Sequence, residues 1–309
     1  MPALVRITAG QAALCSEVNP MAKRRSFVFL ICIICLFSAY LFWPHAAKES
    51  ILYFPIDEGT TFSLSSTTLE KKAAVSANRM ILRWSVQSIL EKNAHLRQDI
   101  GLVFANGRLY STIGEKTWKK DTSSLFQAKD LTVQESTLLQ AVSFHYGELH
   151  EGSSFKSAQS MSAATRYAVL SKFSPPITFS VPKSRAEKEW QNTLTAYTDD
   201  RLQAVWQKGK AQYKLDVPGL SAIPLTEIAA WQTKSLPGLD RARTQKVIGQ
   251  LWEGLYKNYV LGIKNGNSPP ETPIGSYVPL ILINRQAAML YVLIPDRHLQ
   301  FVLLKQKIS

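Results

Sequence analysis

The chain has 309 residues, 46% of them hydrophobic, and carries 36 Lys and Arg against 23 Asp and Glu for a formal charge of +13. That apolar content excludes an intrinsically disordered chain, and three cysteines in this length exclude a disulfide-stapled scaffold. The basic excess points to acidic partners, although no run of five or more like charges concentrates it.

Residues 1–26 read as a short cytoplasmic N-terminus without periodicity. Met21, two residues before the basic triplet Lys23, Arg24 and Arg25, is an alternative start to Met1. From Phe27 to Trp43 no charge occurs; about seventeen residues at roughly 1.5 Å each span about 25 Å, the short end of a transmembrane helix. The run exceeds the apolar core of a secretory signal, and Ala46 and Ala47 follow Pro44 and His45, which make poor cleavage sites. The expectation is therefore a retained signal-anchor in a bacterial cell membrane, single-pass, with the N-terminus inside by the positive-inside rule and everything after Trp43 extracytoplasmic. All three cysteines precede Pro44 and no Asn-x-Ser/Thr sequon follows it, which fits a bacterial envelope. From Pro44 onward 32 Lys and Arg face 22 Asp and Glu, so this part is itself basic.

An α+β fold is expected for that part, with about five helices, a β-hairpin and a C-terminal β-meander, divided into lobes at 44–180 and 181–309. Thr67 to Glu70, Thr132 to Glu135 and Ser184 to Glu187 match the capping box and predict three helix starts. The first continues through Leu69, Ala73, Ala77, Met80, Ile81 and Trp84 toward His95. A fourth helix begins at Pro224 with Ile228 and Trp231 inward. The fifth follows an Asp240 cap and carries Ile248, Leu251, Trp252, Leu255, Tyr259 and Ile263 at three- and four-residue spacing. Asn106 and Gly107 sit between two alternating runs, the signature of a type I′ hairpin. Residues 279–283, 289–294 and 299–304 read as the meander, set off by the linker from Asn265 to Ser276.

Chemistry-bearing patterns are sparse. FHYGELHEG offers His145, Glu148, His150 and Glu151, but histidines five apart fall about 140° out of register on a helix, so no metal site is expected. Ser153 to Lys156 has the S-x-x-K spacing of serine acyl enzymes without the companion motifs they need, since no K-T-G occurs. Asp199 and Asp200 form a pair of adjacent carboxylates on the third helix; Asp199 falls opposite its apolar stripe, and Asp200, about 80° off it, is placed for a surface pair with neighbouring basic residues. Six tryptophans follow the anchor, namely Trp84, Trp118, Trp190, Trp206, Trp231 and Trp252, and most of them fall on apolar stripes. Trp118 differs: Lys116, Lys119 and Lys120 surround it in GEKTWKKD, so these four residues are the candidate binding group, an aromatic face with cations for an anionic glycan or a lipid surface.

No phosphate loop, cysteine-pair zinc motif or dinucleotide fingerprint is found, and no cofactor is expected. The function expected is a membrane-anchored binding, scaffold or regulatory protein of the bacterial envelope, more binder than enzyme. Its partners would be the bilayer, a membrane-protein partner or an anionic wall polymer, and not nucleic acid. The alternative is a wall-active hydrolase or acyl transferase whose residues are scattered in sequence.

Overall fold

The computed structural model describes residues 54–215, 220–236, 238–264, 269–284 and 289–308. Seven strands form the first sheet: β1 Phe62–Ser76, β2 Arg79–Ala105, β3 Arg108–Ile113, β4 Lys119–Val133, β5 Thr137–Glu151, β6 Ser154–Ser171 and β7 Ser174–Phe179. Helix α1 runs Arg185–Tyr213. It is followed by β8 Ser221–Pro224, a 3₁₀ helix Leu225–Gln232, and α2 Arg241–Leu255, which continues as a π-turn Tyr256–Val260. Strands β9 Leu280–Asn284, β10 Met289–Pro295 and β11 Phe301–Lys307 complete a second, antiparallel sheet of order β11-β10-β9-β8.

The first sheet is organised by the 27-residue β2. Its first half pairs with β1 on one side and β4 on the other; its second half pairs mainly with β3 and β5. Between Ile89 and Ala94 the register with β4 shifts, and exposed Glu91, Lys92 and Asn93 break the inward alternation. Such a bulge bends a strand. The sheet curls into a near-closed barrel, and side chains help to close it: Arg166 Nε donates to Leu69 O at 2.7 Å and Lys71 Nζ to Pro176 O at 2.6 Å, joining β1 to β6 and β7.

Alternation fills the barrel. Met80, Leu82, Trp84 and Val86 point inward every second residue and meet Val103, Leu131, Leu139 and Ala141. Gly101 lies over Trp84 and Ile113, where an added Cβ would stand 2.6 Å from each, so only glycine leaves room for the indole. The opposite face of β2 and β5 packs Ile100, Leu102, Phe104 and Phe144 against α2, the 3₁₀ helix and the second sheet in a central core. Strand β9 is buried on both faces: Ile281 and Ile283 enter the central core, while Leu280 and Leu282 meet the α1 side. Helix α1, 29 residues and about 43 Å long, presents one narrow buried stripe of Leu194, Thr198, Leu202, Val205 and Gly209.

Local signals near the helices hold. Ser184 caps α1 by accepting from Glu187 N, Asp240 caps α2 by accepting from Arg243 N, and Pro224 precedes a 3₁₀ helix with Ile228 and Trp231 buried. Asn106 and Gly107 take φ of 48° and 78° in the β2–β3 turn, and the C-terminal meander is formed by β9, β10 and β11. The second half of the expected linker is packed rather than loose. Gly275 N donates to Leu109 O at 2.8 Å and Leu109 N to Ser276 O at 2.8 Å, and its residues 265–268 lie outside the described ones.

Two expectations are corrected. The α+β class with about five helices gives way to a mainly β fold: among the described residues 53% are strand and 24% helix, with only three helices. The helices predicted from Thr67 and Thr132 are strand and turn. Thr67 sits in β1 and bonds Ser143 and Ser162 across the barrel, while Glu135 lies between β4 and β5. The second correction concerns the membrane. Among the described residues no helix is long and apolar enough to cross one, and residues 27–43, together with 1–26 and the Met21 start, lie outside the described residues. The single-pass, signal-anchored cell-membrane assignment, with an extracytoplasmic C-terminal part, is therefore withdrawn.

Candidate functional site

Strand β2 delivers different chemistry to its two faces. Inward, Arg97 and Asp99 have fully buried side chains, as does His145 of β5. Arg97 Nη1 donates to Ser123 O at 2.7 Å and Nε to Tyr146 O at 3.2 Å, while Nη2 stands 3.6 Å from Asp99 Oδ1. Ser88 accepts from Arg97 and donates to Asp99. Burial pushes the guanidinium down from its usual range and Asp99 opposes that shift. Asp99 Oδ2 lies 3.2 Å from His145 Nδ1, and His145 Nε2 lies 2.8 Å from Ser162 Oγ. The first of these contacts is an approach without hydrogen-bond alignment, since Nδ1 finds no acceptor. Gly147 on β5 makes space for Arg97, whose Cδ would be 3.1 Å from an added Cβ.

Outward, Gln98 and Ile100 of β2 join Phe144 and Tyr146 of β5 as one wall of a cavity of about 270 Å³. Six aromatic rings surround it: Phe54, Trp118, Phe144, Tyr146, Trp252 and Tyr256. Phe144 stacks on Trp252 at 5.1 Å, and Trp118 stands perpendicular to Tyr146 at 6.2 Å. Trp252 Nε1 is occupied by Met161 Sδ at 3.3 Å, so its ring is fixed.

The loop of residues 114–118, between β3 and β4, brings Trp118 to the rim. Gln98 Nε2 donates to Gly114 O at 3.0 Å and the Tyr256 hydroxyl donates to Glu115 O at 2.9 Å. Gly114 has φ of 79°, and an added Cβ would fall 1.8 Å from Asp99 O, so no other residue fits there.

Phe54 is held from the other side. Asp57 N donates to Ser157 O, Ser157 N to Pro55 O, and Ser157 Oγ to Phe54 O, all at 2.8–2.9 Å, which straps residues 54–57 along β6. Asp57 also pairs with Lys156 at 3.1 Å and Lys92 at 3.6 Å. A hydrogen bond from Thr60, then one from Lys156, holds its carboxyl at about 2, below the ordinary 3.8.

Charged groups at the cavity are mostly acidic. Glu148 bonds His150, and Glu253 Oε1 pairs with Lys257 Nζ at 2.7 Å. Glu253 Oε2 is buried and accepts no hydrogen bond among the described residues.

The sequence-derived candidates separate in space. Trp118 lines the cavity and is 43% exposed, whereas Lys116, Lys119 and Lys120 are exposed and outside its lining. His145 points into the barrel, while Glu148 and His150 face outward on the same strand, where His150 stacks on His95 at 3.8 Å. Ser153 lies in the β5–β6 turn, exposed, and Lys156 is engaged by Asp57 and Glu151. Asp199 and Asp200 are exposed on α1. Among the described residues no group of three or more His, Cys, Asp or Glu is placed to hold a metal ion. Phe144, Tyr146 and Tyr256 were not singled out as a site in sequence; the i, i+2 pair on β5 and the i, i+4 pair Trp252 and Tyr256 were the only traces.

No family model, curated protein or solved structure matches the chain. The site must therefore be read from its own geometry.

Removing one partner of a buried charge cluster leaves the others unpaired, at a cost of about 3–5 kcal/mol. Asp99→Asn should lower unfolding free energy by that order in urea titrations, whereas Lys156→Ala, whose ammonium is partly exposed at the surface, should change it by about 1 kcal/mol or less. Because the Asp57 carboxyl is depressed in the folded state, its contribution is complete above pH 3.8 and is lost as pH falls through about 2. Thermal melts from pH 6 to pH 2 should show that loss in the wild type and a smaller one in Asp57→Asn.

Proposed function

We propose that this chain is a binding protein, not an enzyme, and that its ligand seats in the aromatic cavity beneath Trp118. The observation that carries this reading is the convergence of six rings from four separate segments on one opening at the edge of the central core. Binding sites are concave and mostly apolar, with a few placed polar groups, and a cavity of this size suits a fragment-sized ligand or one protruding group. Asp99, His145 and Ser162, which form an Asp-His-Ser arrangement inside the barrel, are absent from its lining. The π-turn that carries Tyr256 and Lys257 supports the same reading, because π-bulges concentrate at functional sites. An anionic polymer would meet the outer rim, where Lys116, Lys119 and Lys120 are exposed, rather than the cavity itself.

A second reading has one specific observation in its favour. Asp99, His145 and Ser162 stand in the order of an acyl-transfer triad, with carboxylate at Nδ1 and hydroxyl at Nε2. Against it, Ser162 Oγ is also 2.7 Å from Thr67 Oγ1, and the imidazole is sealed inside the barrel. The Thr67 hydroxyl bonds those of Ser143 and Ser162 where β1 packs against β5 and β6.

A fragment screen read by intrinsic tryptophan fluorescence tests the first reading. Hits should lose at least about tenfold in affinity in Trp118→Ala; hits unaffected by that change, or no hit at all, would remove it. A fluorophosphonate probe tests the second: no labelling of Ser162 is expected, and labelling that disappears in Ser162→Ala would revive the enzyme.

A further inference from the structure

We infer that the cavity selects a protonated amine on an apolar body, that is, a small organic ammonium ion. The inference deepens the binding reading and rests on it.

Three features converge on a positive charge. The rings of Trp118, Phe144, Tyr146, Trp252 and Tyr256 border the space, and the negative faces of aromatic rings attract cations, Trp most strongly. Two carboxylates, Glu148 and Glu253, line the same space against one ammonium, Lys257. The third feature decides the kind of cation. Glu253 Oε2 is buried and without a donor, while its other oxygen is satisfied by Lys257 at 2.7 Å.

As the side chain stands that oxygen has no accessible surface, so a ligand N⁺–H reaches the Glu253 carboxylate when the side chain turns it toward the cavity; a buried carboxylate oxygen left unpaired is costly, and the new bond relieves that cost. A quaternary ammonium has no N–H to give it. An anion is disfavoured by both carboxylates and the ring faces. A neutral alcohol can donate one hydrogen bond but gains nothing from the cation–π term.

Lys257 is the internal competitor. Its side chain is 47% exposed and reaches Glu253 from the solvent side, so it neutralises part of the charge that a ligand would use. Removing it should sharpen recognition, an effect opposite in sign to the usual result of deleting a charged residue at a site.

The test uses the full chain and two probes of similar shape, 2-phenylethylamine and 2-phenylethanol, titrated at pH 7 by calorimetry. The amine should bind at least about tenfold more tightly, the equivalent of one charge-assisted hydrogen bond. Glu253→Gln should remove that preference by weakening the amine alone. Lys257→Met should strengthen the amine several-fold relative to the alcohol. Trp118→Ala should weaken both. Equal affinity of the two probes in the wild type, or no gain in Lys257→Met, overturns the ammonium inference while leaving a binding cavity in place. Binding of neither probe overturns it too, and the fragment screen then decides separately whether the cavity binds anything.

Discussion

The two-residue alternation of β2 is the constraint on which the rest of the molecule depends. Between Arg97 and Phe104 consecutive side chains go to opposite worlds: Arg97, Asp99, Gly101 and Val103 into the barrel, and Gln98, Ile100, Leu102 and Phe104 into the central core and the cavity wall. A slip of one residue would exchange these sets completely. It would carry a guanidinium and a carboxylate into an apolar core and press Ile100 against Trp84. The glycines at 101 and 147 lock the register further, since each vacates the space that a large neighbour fills. The buried charges therefore act as specification: they are tolerable only where Ser88, Ser123 and Tyr146 meet them, and they meet them in one register.

How much of this was legible depended on whether the signal was local. Ser184, Asp240, Pro224 and the Asn106–Gly107 pair each impose their structure within a few residues, through a cap, a fixed φ or a positive φ, and each was legible. The barrel was not, for a reason visible in its own residues. Reading Leu69, Ala73, Ala77, Met80, Ile81 and Trp84 as a helical stripe counted Ala73 and Ala77, which are exposed, and passed over Leu82, Val86 and Leu90, which with Met80 and Trp84 alternate without a break across buried Ser88. Ser88 masks the pattern because it looks like a polar interruption. It is polar because it must bond Arg97 and Asp99, whose place inside the barrel is a tertiary fact. Thr67 misled for the same reason, its hydroxyl being committed across the barrel to Ser143 and Ser162 rather than to a helix N–H.

The site shows the same division. Trp118 stood out because its neighbours are lysines, yet the residues that give it a role come from β5, α2, the π-turn and the strap at Phe54, the nearest of these rings, Phe144, lying 26 residues along the chain. The lysines adjacent in chain order are exposed and outside the lining, while carboxylates from β5 and α2 come to the cavity. Adjacency along the chain thus suggested an anion, and adjacency in space supplies acidic groups. On a strand edge, neighbours in sequence face opposite ways, so charge counted along a segment says little about the charge a ligand meets.

The π-turn explains how α2 can serve core and cavity together. Leu261 N donates to Tyr256 O at 3.0 Å, a bond spanning five residues in place of four. The wider turn rotates the chain by less per residue at this point. Tyr256 can then reach Glu115 O above the cavity while Tyr259, three residues later, remains fully buried with its hydroxyl 2.9 Å from Ser276 Oγ. Burial raises the Tyr259 phenol above its ordinary range, with the Ser276 bond opposing, so it stays neutral and contributes packing and one bond alone. In an unbroken α-helix every hydrogen bond spans four residues, and the five-residue step at Tyr256 would be absent. The irregular turn reconciles a straight apolar stripe, which the core requires, with a tyrosine aimed at the loop that holds Trp118.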